Sequence, residues 1–311
     1  MRWLADGSAA TFAGALEEVA PELTRYPIAM SDDLAQSDPR WHAASAFLGE
    51  EFVAKFAWSG TAAQRLRREI GVLTALASAV PNLPEVVVGS TDPLLLVTRR
   101  VKGTSLFAVA DSIDRDQAGL QLARFLAALN HPQALARAEA ELGPLPAARP
   151  LAATEVIRDR FAAWVDTKRY RSVLRWCDWS DAVFAEPKRP EPTVLVHADL
   201  HGDNQVWDGG ELRVVVDFET VGVAWPEYDL GGFPGPGLGP GVELLTAIVR
   251  HYEELAGRPL SMELIMAGHV RMALGDVVWR TDLGIHLADH RTPPDWVDDL
   301  AARFGALGID P

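Results

Sequence analysis

The chain lacks most of what a secreted or membrane protein would need. Its only cysteine is Cys177, so an internal disulfide is excluded. No apolar run approaches the ~20 residues that a helix needs to cross a bilayer. The first residues include acids and lack the apolar core of a signal peptide. Because unpaired cysteine is typical of reducing compartments, we expect a cytoplasmic protein with no membrane partner.

Positive charge is scarce as well. The 311 residues include 29 Lys and Arg against 43 Asp and Glu, which gives a formal net charge of −14. Nucleic-acid-binding proteins usually present a basic face, so this class of partner is disfavoured. The negative charge could steer a cationic small molecule towards the protein, or it could simply keep the protein in solution. The length and an apolar content of 48% are typical of a folded protein with two lobes or subdomains.

The most informative pattern lies in residues 194–219, VLVHADLHGDNQVWDGGELRVVVDFE. A short apolar run leads into His197, and Asp199 and Asn204 follow at the spacing H-x-D-x-x-x-x-N. A second apolar run ends at Asp217. The intervening D-G-G sequence predicts a hairpin between two short strands. That hairpin would bring Asp217 back to the loop that holds Asp199 and Asn204.

Asp199, Asn204 and Asp217 form a set that phosphoryl transfer requires. One carboxylate, Asp199, would orient the attacking hydroxyl and take its proton. The amide oxygen of Asn204 and the carboxylate of Asp217 would hold Mg²⁺ against the phosphates of a nucleotide. Asp and Asn are also common in loops for structural reasons. Their joint spacing nevertheless favours a kinase over a purely structural loop.

A lysine and a glutamate nearer the N-terminus extend the predicted site. Lys55 lies in an apolar strand, FVAKFAW, where it needs either a partner or an edge position from which it reaches solvent. Residues 61–79 form a predicted helix whose apolar stripe consists of Leu66, Ile70, Leu73 and Ala77. Glu69 falls one residue off that stripe on the inward side, so it needs a cation unless it is solvated beside Arg65 and Arg68. We predict that Lys55 pairs with Glu69.

The remaining pattern predicts strands first and helices later. A small N-terminal sheet is predicted from residues 26–30, 41–48, 51–58, 84–90 and 94–98. The predicted helices that follow are residues 114–129, 155–184, 243–256, 262–289 with a break near Gly284, and 294–307. This order of elements suits a sheet-containing N-terminal lobe and a larger helical C-terminal lobe.

The change from strands to helices predicts the boundary between the lobes. We place it after Val101, which gives a nucleotide-binding lobe of residues 1–101 and a catalytic and substrate-binding lobe of residues 102–311. Thr98, Arg100 and Val101 belong to the connector, whose backbone is a usual place for a nucleobase to bind. An ordinary strand-to-helix turn would have the same residue types, so both interpretations stay open.

The motifs in residues 194–219 resemble those of the aminoglycoside phosphotransferase family, a group of protein-kinase-like small-molecule kinases. That family commonly has H-G-D-L-H-x-x-N, followed by I-D-x-E or V-D-F-E. This chain has HADLHGDN and VVDFE. The Tyr-Asp-Leu sequence at residues 228–230 also matches, and so does the predicted pair of Lys55 and Glu69.

The resemblance implies an α+β, bilobal protein-kinase-like fold. A small N-terminal antiparallel sheet with one long helix would precede a larger, mainly helical C-terminal lobe. His197 and Asp229 would brace the catalytic loop by hydrogen bonds. From the residues alone, Asp229 lies between apolar neighbours and should need backbone N–H partners.

The resemblance also implies a role for each residue of the predicted site. Asp199 would be the catalytic base or the group that orients the acceptor hydroxyl. Asn204 and Asp217 would be Mg²⁺ ligands. Lys55, held by Glu69, would bind the α- and β-phosphates of ATP or GTP.

Two features depart from the family pattern. Residues 31–45, where protein kinases have a glycine-rich loop over the phosphates, contain no glycine. Ser31, Ser37 or nearby backbone N–H groups could substitute for it. Asp203 stands where the family often has glycine, and it is either a third acid near the metal or a surface residue.

These observations predict an enzyme that moves the γ-phosphate of ATP or GTP, with Mg²⁺, onto a hydroxyl of a small molecule. An antibiotic is the expected acceptor, in resistance or in self-protection of a producer. A housekeeping kinase for a sugar, amino alcohol or nucleoside would carry the same motifs. A nucleotide-binding pseudokinase is disfavoured because all the expected polar residues are present. A protein kinase is disfavoured because no A-P-E segment follows Asp217.

Overall fold

The computed structural model describes residues 1–31, 44–186, 194–233, 241–285 and 291–311. An antiparallel sheet near the N-terminus precedes a mainly helical region, which confirms the predicted α+β class. The lobe boundary after Val101 stays a prediction. Residues 32–43 contain most of the predicted glycine-free phosphate loop and the start of the second predicted strand, and they lie outside the described residues.

The N-terminal sheet places Lys55 at its centre. Its strands are β1 (Ile28–Met30), β2 (Ala44–Leu48), β3 (Phe52–Phe56), β4 (Val86–Thr91) and β5 (Leu94–Arg99). They are arranged in the order β1-β2-β3-β5-β4, and each neighbouring pair is antiparallel. Lys55 on β3 stands opposite Ser45 on one side and Leu96 on the other. The alternative of an edge-strand lysine is therefore excluded.

Helices cover both faces of this sheet. Helix α1 (Ala9–Val19) packs on one face, where the rings of Phe12 and Phe56 stack with centroids 4.9 Å apart. Helix α2 (Gly60–Leu76) packs on the other face. Since side chains of a strand alternate between faces, and Phe56 faces α1, Lys55 points to the face that α2 covers.

Helix α2 carries the predicted apolar stripe and ends slightly earlier than predicted. Its N-cap is Ser59, whose hydroxyl accepts a hydrogen bond from the Ala62 N–H group at 3.3 Å. Leu66, Ile70 and Leu73 are buried, whereas Ala77 is exposed at the C-cap. Glu69 is only 2% exposed. The alternative of a solvated Glu69 is therefore excluded as well.

The second part of the chain is mainly helical. Its helices are α3 (Leu106–Val109), α4 (Arg115–Leu129), α5 (Pro132–Leu142), α6 (Thr154–Trp164), α7 (Thr167–Ala185), α8 (Glu243–Ala256), α9 (Met262–Asp282) and α10 (Pro293–Leu307). The sequence pattern did not predict α5. Among the described residues, no helix is both long enough and apolar enough to cross a membrane.

Two of the predicted helices differ from the structure. The single helix over residues 155–184 is wrong, because Val165 is extended and separates α6 from α7. Asp166 then caps α7 by accepting the N–H groups of Lys168 and Arg169. The helix predicted over residues 262–289 ends at Asp282, and its predicted break near Gly284 is confirmed by the left-handed φ of 67° at that glycine. Residues 286–289, the end of that prediction, lie outside the described part of the chain.

Short strands hold the segment that carries the sequence motifs. Strand β7 (Val194–Val196) pairs with β10 (Gly222–Ala224), which was not predicted. The predicted hairpin is present as β8 (Gln205–Asp208) and β9 (Glu211–Val215). Strand β6 (Thr104–Ser105) pairs with the edge of β8 and so attaches the connector to the hairpin.

Close packing of α4 on α8 depends on a glycine. A Cβ atom on Gly119 would lie 2.6 Å from the Cβ atom of Ala247 and 2.9 Å from its carbonyl carbon. Gly14 on α1 is exposed and has no atom within 4 Å of a Cβ built on it. The two helical glycines therefore differ only in whether their surroundings leave room for a methyl group.

We expect Gly119→Ala to lower the free energy of unfolding by about 1–3 kcal/mol, because the added methyl group would push α4 away from α8. As the matched control, Gly14→Ala should raise that free energy by about 0.4–1 kcal/mol, since alanine is the better helix former. Urea unfolding of both variants measures these effects. Equal effects of the two substitutions would contradict the close approach at Gly119.

Candidate active site

The predicted pair of Lys55 and Glu69 is present, and Asp217 joins it. Lys55 Nζ lies 3.0 Å and 3.1 Å from the two carboxylate oxygens of Glu69. It also lies 2.7 Å from Oδ1 of Asp217. Strand β3, helix α2 and the turn after β9 thus each contribute one charged group to the same point.

The charges in this group stabilise one another. Burial alone would lower the pKa of Lys55, but Asp217 and Glu69 oppose this and raise it above its usual value. Burial tends to raise the pKa of Asp217, but Lys55 prevails and lowers it. Lys55 is therefore protonated and Asp217 ionised at neutral pH. The ammonium group offers positive charge to an anionic ligand, and the Asp217 carboxylate offers an oxygen to a cation.

Asp217 is held in an unusual backbone conformation. Its φ and ψ angles of 69° and 59° lie in the left-handed region, which non-glycine residues rarely adopt. The Phe218 N–H group that follows donates to Glu69 Oε1 at 3.3 Å. Lys55 contacts the Asp217 side chain and Glu69 contacts the next backbone N–H group, so together they keep the Asp217 carboxylate in place. Backbone strain of this kind is common at functional sites.

A buried carboxylate holds the start of the predicted catalytic loop, residues 197–204. Asp229 accepts the N–H groups of His197 and Ala198, both at 2.8 Å. Ala198 has a left-handed φ of 65°, at the position where the related motif has glycine. Burial raises the pKa of Asp229, and the two N–H donors oppose that effect. The predicted need of Asp229 for backbone partners is confirmed.

His197 connects the catalytic loop to the strand before Asp217. Its Nε2 atom lies 2.9 Å from the Val216 carbonyl oxygen, to which it donates. Its Nδ1 atom accepts the Asp199 N–H group at 3.3 Å. This arrangement requires the neutral tautomer with a proton on Nε2. The ring is therefore committed to structural hydrogen bonds on both nitrogens, as the predicted bracing role requires.

Asn204 is hydrogen-bonded to the backbone beside both predicted carboxylates of the site. Its side-chain Nδ2 donates to the Asp199 carbonyl oxygen at 2.9 Å. Its own carbonyl oxygen accepts the Val216 N–H group at 2.9 Å, one residue before Asp217. The Asp199 side chain is 35% exposed, with His201 Nε2 at 3.8 Å. Asp199 is thus fixed through its backbone, while its carboxylate can reach a ligand in solvent.

The donor set at Asn204 and Asp217 fits Mg²⁺. Mg²⁺ in nucleotide-binding sites takes one or two protein oxygens, and phosphates and water supply the others. With Nδ2 directed at the Asp199 carbonyl, Asn204 can turn its amide oxygen to a metal. Over the described residues, no group of three or more His, Cys, Asp or Glu side chains is arranged to hold a metal by itself.

A cavity of about 260 Å³ lies between the N-terminal sheet and the β8–β9 hairpin. Its apolar walls are Phe47, Val53, Pro84, Val214 and Val216. Thr98 at the end of β5 and the connector residues Arg100 and Val101 also line it, and their role in binding a nucleobase stays a prediction. Apolar walls of this kind suit a flat heterocycle.

The side chain of Arg100 lies in the wall of this cavity, and that of Asp203 lies at its rim. The Arg100 N–H group donates to the Glu51 carbonyl at 2.7 Å, and its guanidinium lies 4.7 Å from the centre of the Phe47 ring. Its side chain therefore forms part of the wall. Asp203 is exposed at the cavity's rim, which agrees with the surface alternative of the two that the sequence left open.

The sequence did not single out Glu219 and Arg65. Glu219 follows Asp217 by two residues and is 7% exposed. Burial, followed by the negative charge of Asp217, raises the pKa of Glu219 to about 7. Its cationic neighbour is Arg65 of α2, whose Nη1 lies 3.4 Å from Glu219 Oε1. The sequence feature that could have pointed to Arg65 is its position one helical turn before Glu69, on the same side of the helix.

A buried histidine supports the turn that contains Asp229. His269 on α9 donates from Nδ1 to the Gly231 carbonyl oxygen at 2.9 Å. Its Nε2 atom accepts from Arg303 Nη1 at 3.0 Å. Burial, and then the charge of Arg303, lower the pKa of His269 to about 3. A neutral histidine therefore links α10, through α9, to the turn behind the catalytic loop.

Solved structures share this fold along nearly the whole chain. The GDP complex of wild-type aminoglycoside 2′-phosphotransferase-IIIa has a TM-score of 0.65 at 16% identity, covering 97% of this chain and 100% of that one. The streptomycin–ATP ternary complex of APH(2″)-IIa has a TM-score of 0.55 at 16% identity, covering 98% and 100%. The apoenzyme of macrolide 2′-phosphotransferase MphH from Brachybacterium faecium has a TM-score of 0.55 at 17% identity, covering 88% and 91%.

These similarities confirm the predicted bilobal, protein-kinase-like fold. The model of the phosphotransferase enzyme family matches residues 35–263, well over half of the chain. The chain belongs to this family, which confirms the predicted enzyme class. A search of curated proteins found no match. The roles of the individual site residues stay predictions.

The buried His269 predicts a dependence of stability on pH. The histidine has a pKa near 6.5 in the unfolded chain and about 3 in the folded one. As the pH falls below 6.5, the unfolded state binds a proton that the folded state cannot bind. Between pH 7.5 and pH 5.5 this should lower the free energy of unfolding by about 1 kcal/mol.

His269→Gln removes that proton site and keeps groups that can accept from Arg303 and donate to Gly231. We expect the difference in unfolding free energy between the wild type and this variant to shrink as the pH falls from 7.5 to 5.5. Urea unfolding at several pH values measures it, and other titrating groups cancel in the comparison. Parallel pH profiles of the two proteins would contradict a neutral, buried His269.

Proposed function

We propose that this protein transfers the γ-phosphoryl group of ATP or GTP to a hydroxyl group of a small-molecule antibiotic. The observation that carries the proposal is the contact of Lys55 with Glu69 and Asp217 beside the loop of Asp199 and Asn204. Membership in the phosphotransferase enzyme family supports the reaction class. The charges and hydrogen bonds of the site supply a role for each residue.

The donor half of the reaction would depend on charge. Lys55, kept protonated by its two carboxylate partners, would bind the α- and β-phosphates. Asn204 and Asp217 would hold Mg²⁺, which would neutralise charge on the phosphates when bound. The nucleobase would occupy the cavity edged by Thr98, Arg100 and Val101. Its apolar walls would exclude water from the base.

The acceptor half would depend on Asp199. Its partly exposed carboxylate would accept a hydrogen bond from the acceptor hydroxyl and take its proton as the oxygen attacks the γ-phosphorus. The bond between the γ-phosphorus and the β–γ bridging oxygen would break, and ADP or GDP would leave. The Asp199 backbone is fixed by His197 and Asn204, so the carboxylate would need little reorganisation. In-line transfer requires such positioning more than it requires covalent chemistry by the protein.

An antibiotic acceptor is supported by the similar structures, which include an aminoglycoside kinase with bound streptomycin and a macrolide kinase. A metabolite kinase for a sugar, amino alcohol or nucleoside would use the same donor groups. The purified protein would therefore be incubated with Mg·ATP and with Mg·GTP against antibiotics and common metabolites. Mass spectrometry would detect the gain of one phosphate. Phosphorylation of metabolites alone would contradict the antibiotic acceptor.

For the catalytic role, we expect Asp199→Ala to reduce turnover by about 10²–10⁴, the usual contribution of a general base. Binding of the Mg-nucleotide should remain, since Asp199 would contact the acceptor. Steady-state kinetics and calorimetry measure the two effects. Asp208→Ala changes an exposed aspartate in the nearby hairpin turn and serves as the control. Unchanged turnover in Asp199→Ala would remove this residue from the mechanism.

For the metal role, we expect Asp217→Ala to weaken binding of the Mg-nucleotide as well as turnover. The substitution removes both a proposed metal ligand and the shortest contact of Lys55. Calorimetric titration with Mg·ATP and Mg·GTP, in the absence of any acceptor, checks this directly. Wild-type affinity in the variant would count against Asp217 as a metal ligand.

A further inference from the structure

Arg65 and Glu219 form an ion pair that none of the proposed roles uses. Arg65 Nη1 lies 3.4 Å from Glu219 Oε1, and the two side chains are 23% and 9% exposed. A carboxylate with so little exposure needs a cation or several hydrogen-bond donors. Arg65 supplies that cation from α2, a helix more than 140 residues away in sequence.

Arg65 and Glu69 contact the same short turn from successive turns of α2. Glu69 Oε1 accepts the Phe218 N–H group, and Arg65 meets the next residue, Glu219. Side chains four residues apart on a helix lie about 5–6 Å from each other. Two contacts with this separation restrain the rotation of α2 relative to the turn, in addition to the apolar packing that holds the helix on the sheet.

The orientation of α2 determines how Glu69 meets Lys55. Lys55 belongs to the sheet, whereas Phe218 belongs to the turn after β9, and Glu69 contacts both. Rotation of α2 about the Glu69–Phe218 contact would lengthen at least one of the bonds to Lys55, now 3.0 Å and 3.1 Å. A displacement of about 1 Å is enough to weaken a positioned contact of this kind.

The position of Glu219, two residues after Asp217, would also suit a further metal ligand. Its carboxylate is instead engaged by a guanidinium group, which competes for the same oxygens. The geometry therefore favours a role that acts through α2.

We propose that Arg65 and Glu219 are positioning residues, which hold α2 against the turn after Asp217 and thereby keep Glu69 on Lys55. We call this pair the α2 clasp. The inference rests on the proposed function, because it concerns the lysine that would bind the nucleotide phosphates. Neither residue needs to touch the nucleotide or the acceptor.

Calorimetry on the full chain tests the α2 clasp. Arg65→Met and Glu219→Gln should each weaken binding of the Mg-nucleotide, ATP or GTP, about threefold to tenfold. The double variant should be no weaker than either single variant, because both substitutions remove the same contact. Arg65→Lys keeps the charge and should recover part of the affinity.

The control is Arg67→Met, which removes an exposed arginine from the same helix. It should bind the nucleotide as the wild type does, and a loss equal to that of Arg65→Met would overturn the proposal. A rise in the Mg²⁺ concentration for half-maximal binding in Glu219→Gln, but not in Arg65→Met, would instead assign Glu219 to the metal. A lower melting temperature with unchanged nucleotide affinity would reduce the pair to a merely structural contact.

Hydrogen exchange of the nucleotide-free protein separates this inference from the proposed function. Backbone amides of residues 217–220 should exchange faster in Arg65→Met and Glu219→Gln than in the wild type or Arg67→Met. Unchanged exchange there would overturn the α2 clasp even if the nucleotide binds normally. A wild type that binds neither Mg·ATP nor Mg·GTP would defeat the proposed function, and the exchange rates would still decide whether the pair holds α2.

Discussion

One ammonium group between two carboxylates is the constraint on which the rest of this structure depends. Lys55 contacts Glu69 and Asp217 at once, so it joins the N-terminal sheet, helix α2 and the turn after β9. Without the lysine, the buried carboxylate of Glu69 and the partly exposed one of Asp217 would face each other unpaired. Removing one partner from a buried ion pair typically costs about 3–5 kcal/mol, and the partial exposure of Asp217 reduces that cost here. In the proposed function, the same ammonium group would bind the phosphates.

The predicted catalytic loop and the turn at Asp217 each contain a residue with a strained backbone conformation. Hydrogen bonds from other parts of the chain stabilise both. Ala198 and Asp217 both have left-handed backbone angles, which cost a non-glycine residue about 1–2 kcal/mol. Asp229 holds the first through two N–H groups, and Glu69 holds the second through Phe218. Glycine would adopt either conformation without this cost. The surrounding hydrogen bonds, more than the local residue types, thus determine where these two functional segments point.

Whether an interaction could be predicted depended on how far apart its residues lie in the sequence. The polar residues of the site were predictable because their spacing is local, and burial of Glu69 on a helix required a cation that only a few residues could supply. Asp166 is a residue type that favours a helix N-cap, but the helical pattern over residues 155–184 continues through it, so the start of α7 was not recognised. Strand β10 is three residues long, too short for alternation to be recognised. The contacts of Arg65 with Glu219 and of His269 with Gly231 join distant segments, and neither leaves a periodic pattern in the sequence.

The fixed interactions of the site are concentrated on the proposed donor side. Lys55 contacts Asp217, Asn204 is hydrogen-bonded to the backbone of Asp199 and Val216, and the cavity walls come from the sheet and the hairpin. The carboxylate of Asp199 is partly exposed, and its proposed role requires only that a hydroxyl reach it. Nothing in the lysine network depends on the shape of the molecule that bears this hydroxyl. A fold organised in this way can retain its donor half while the acceptor surface changes, so low sequence identity within one shared fold is the expected outcome.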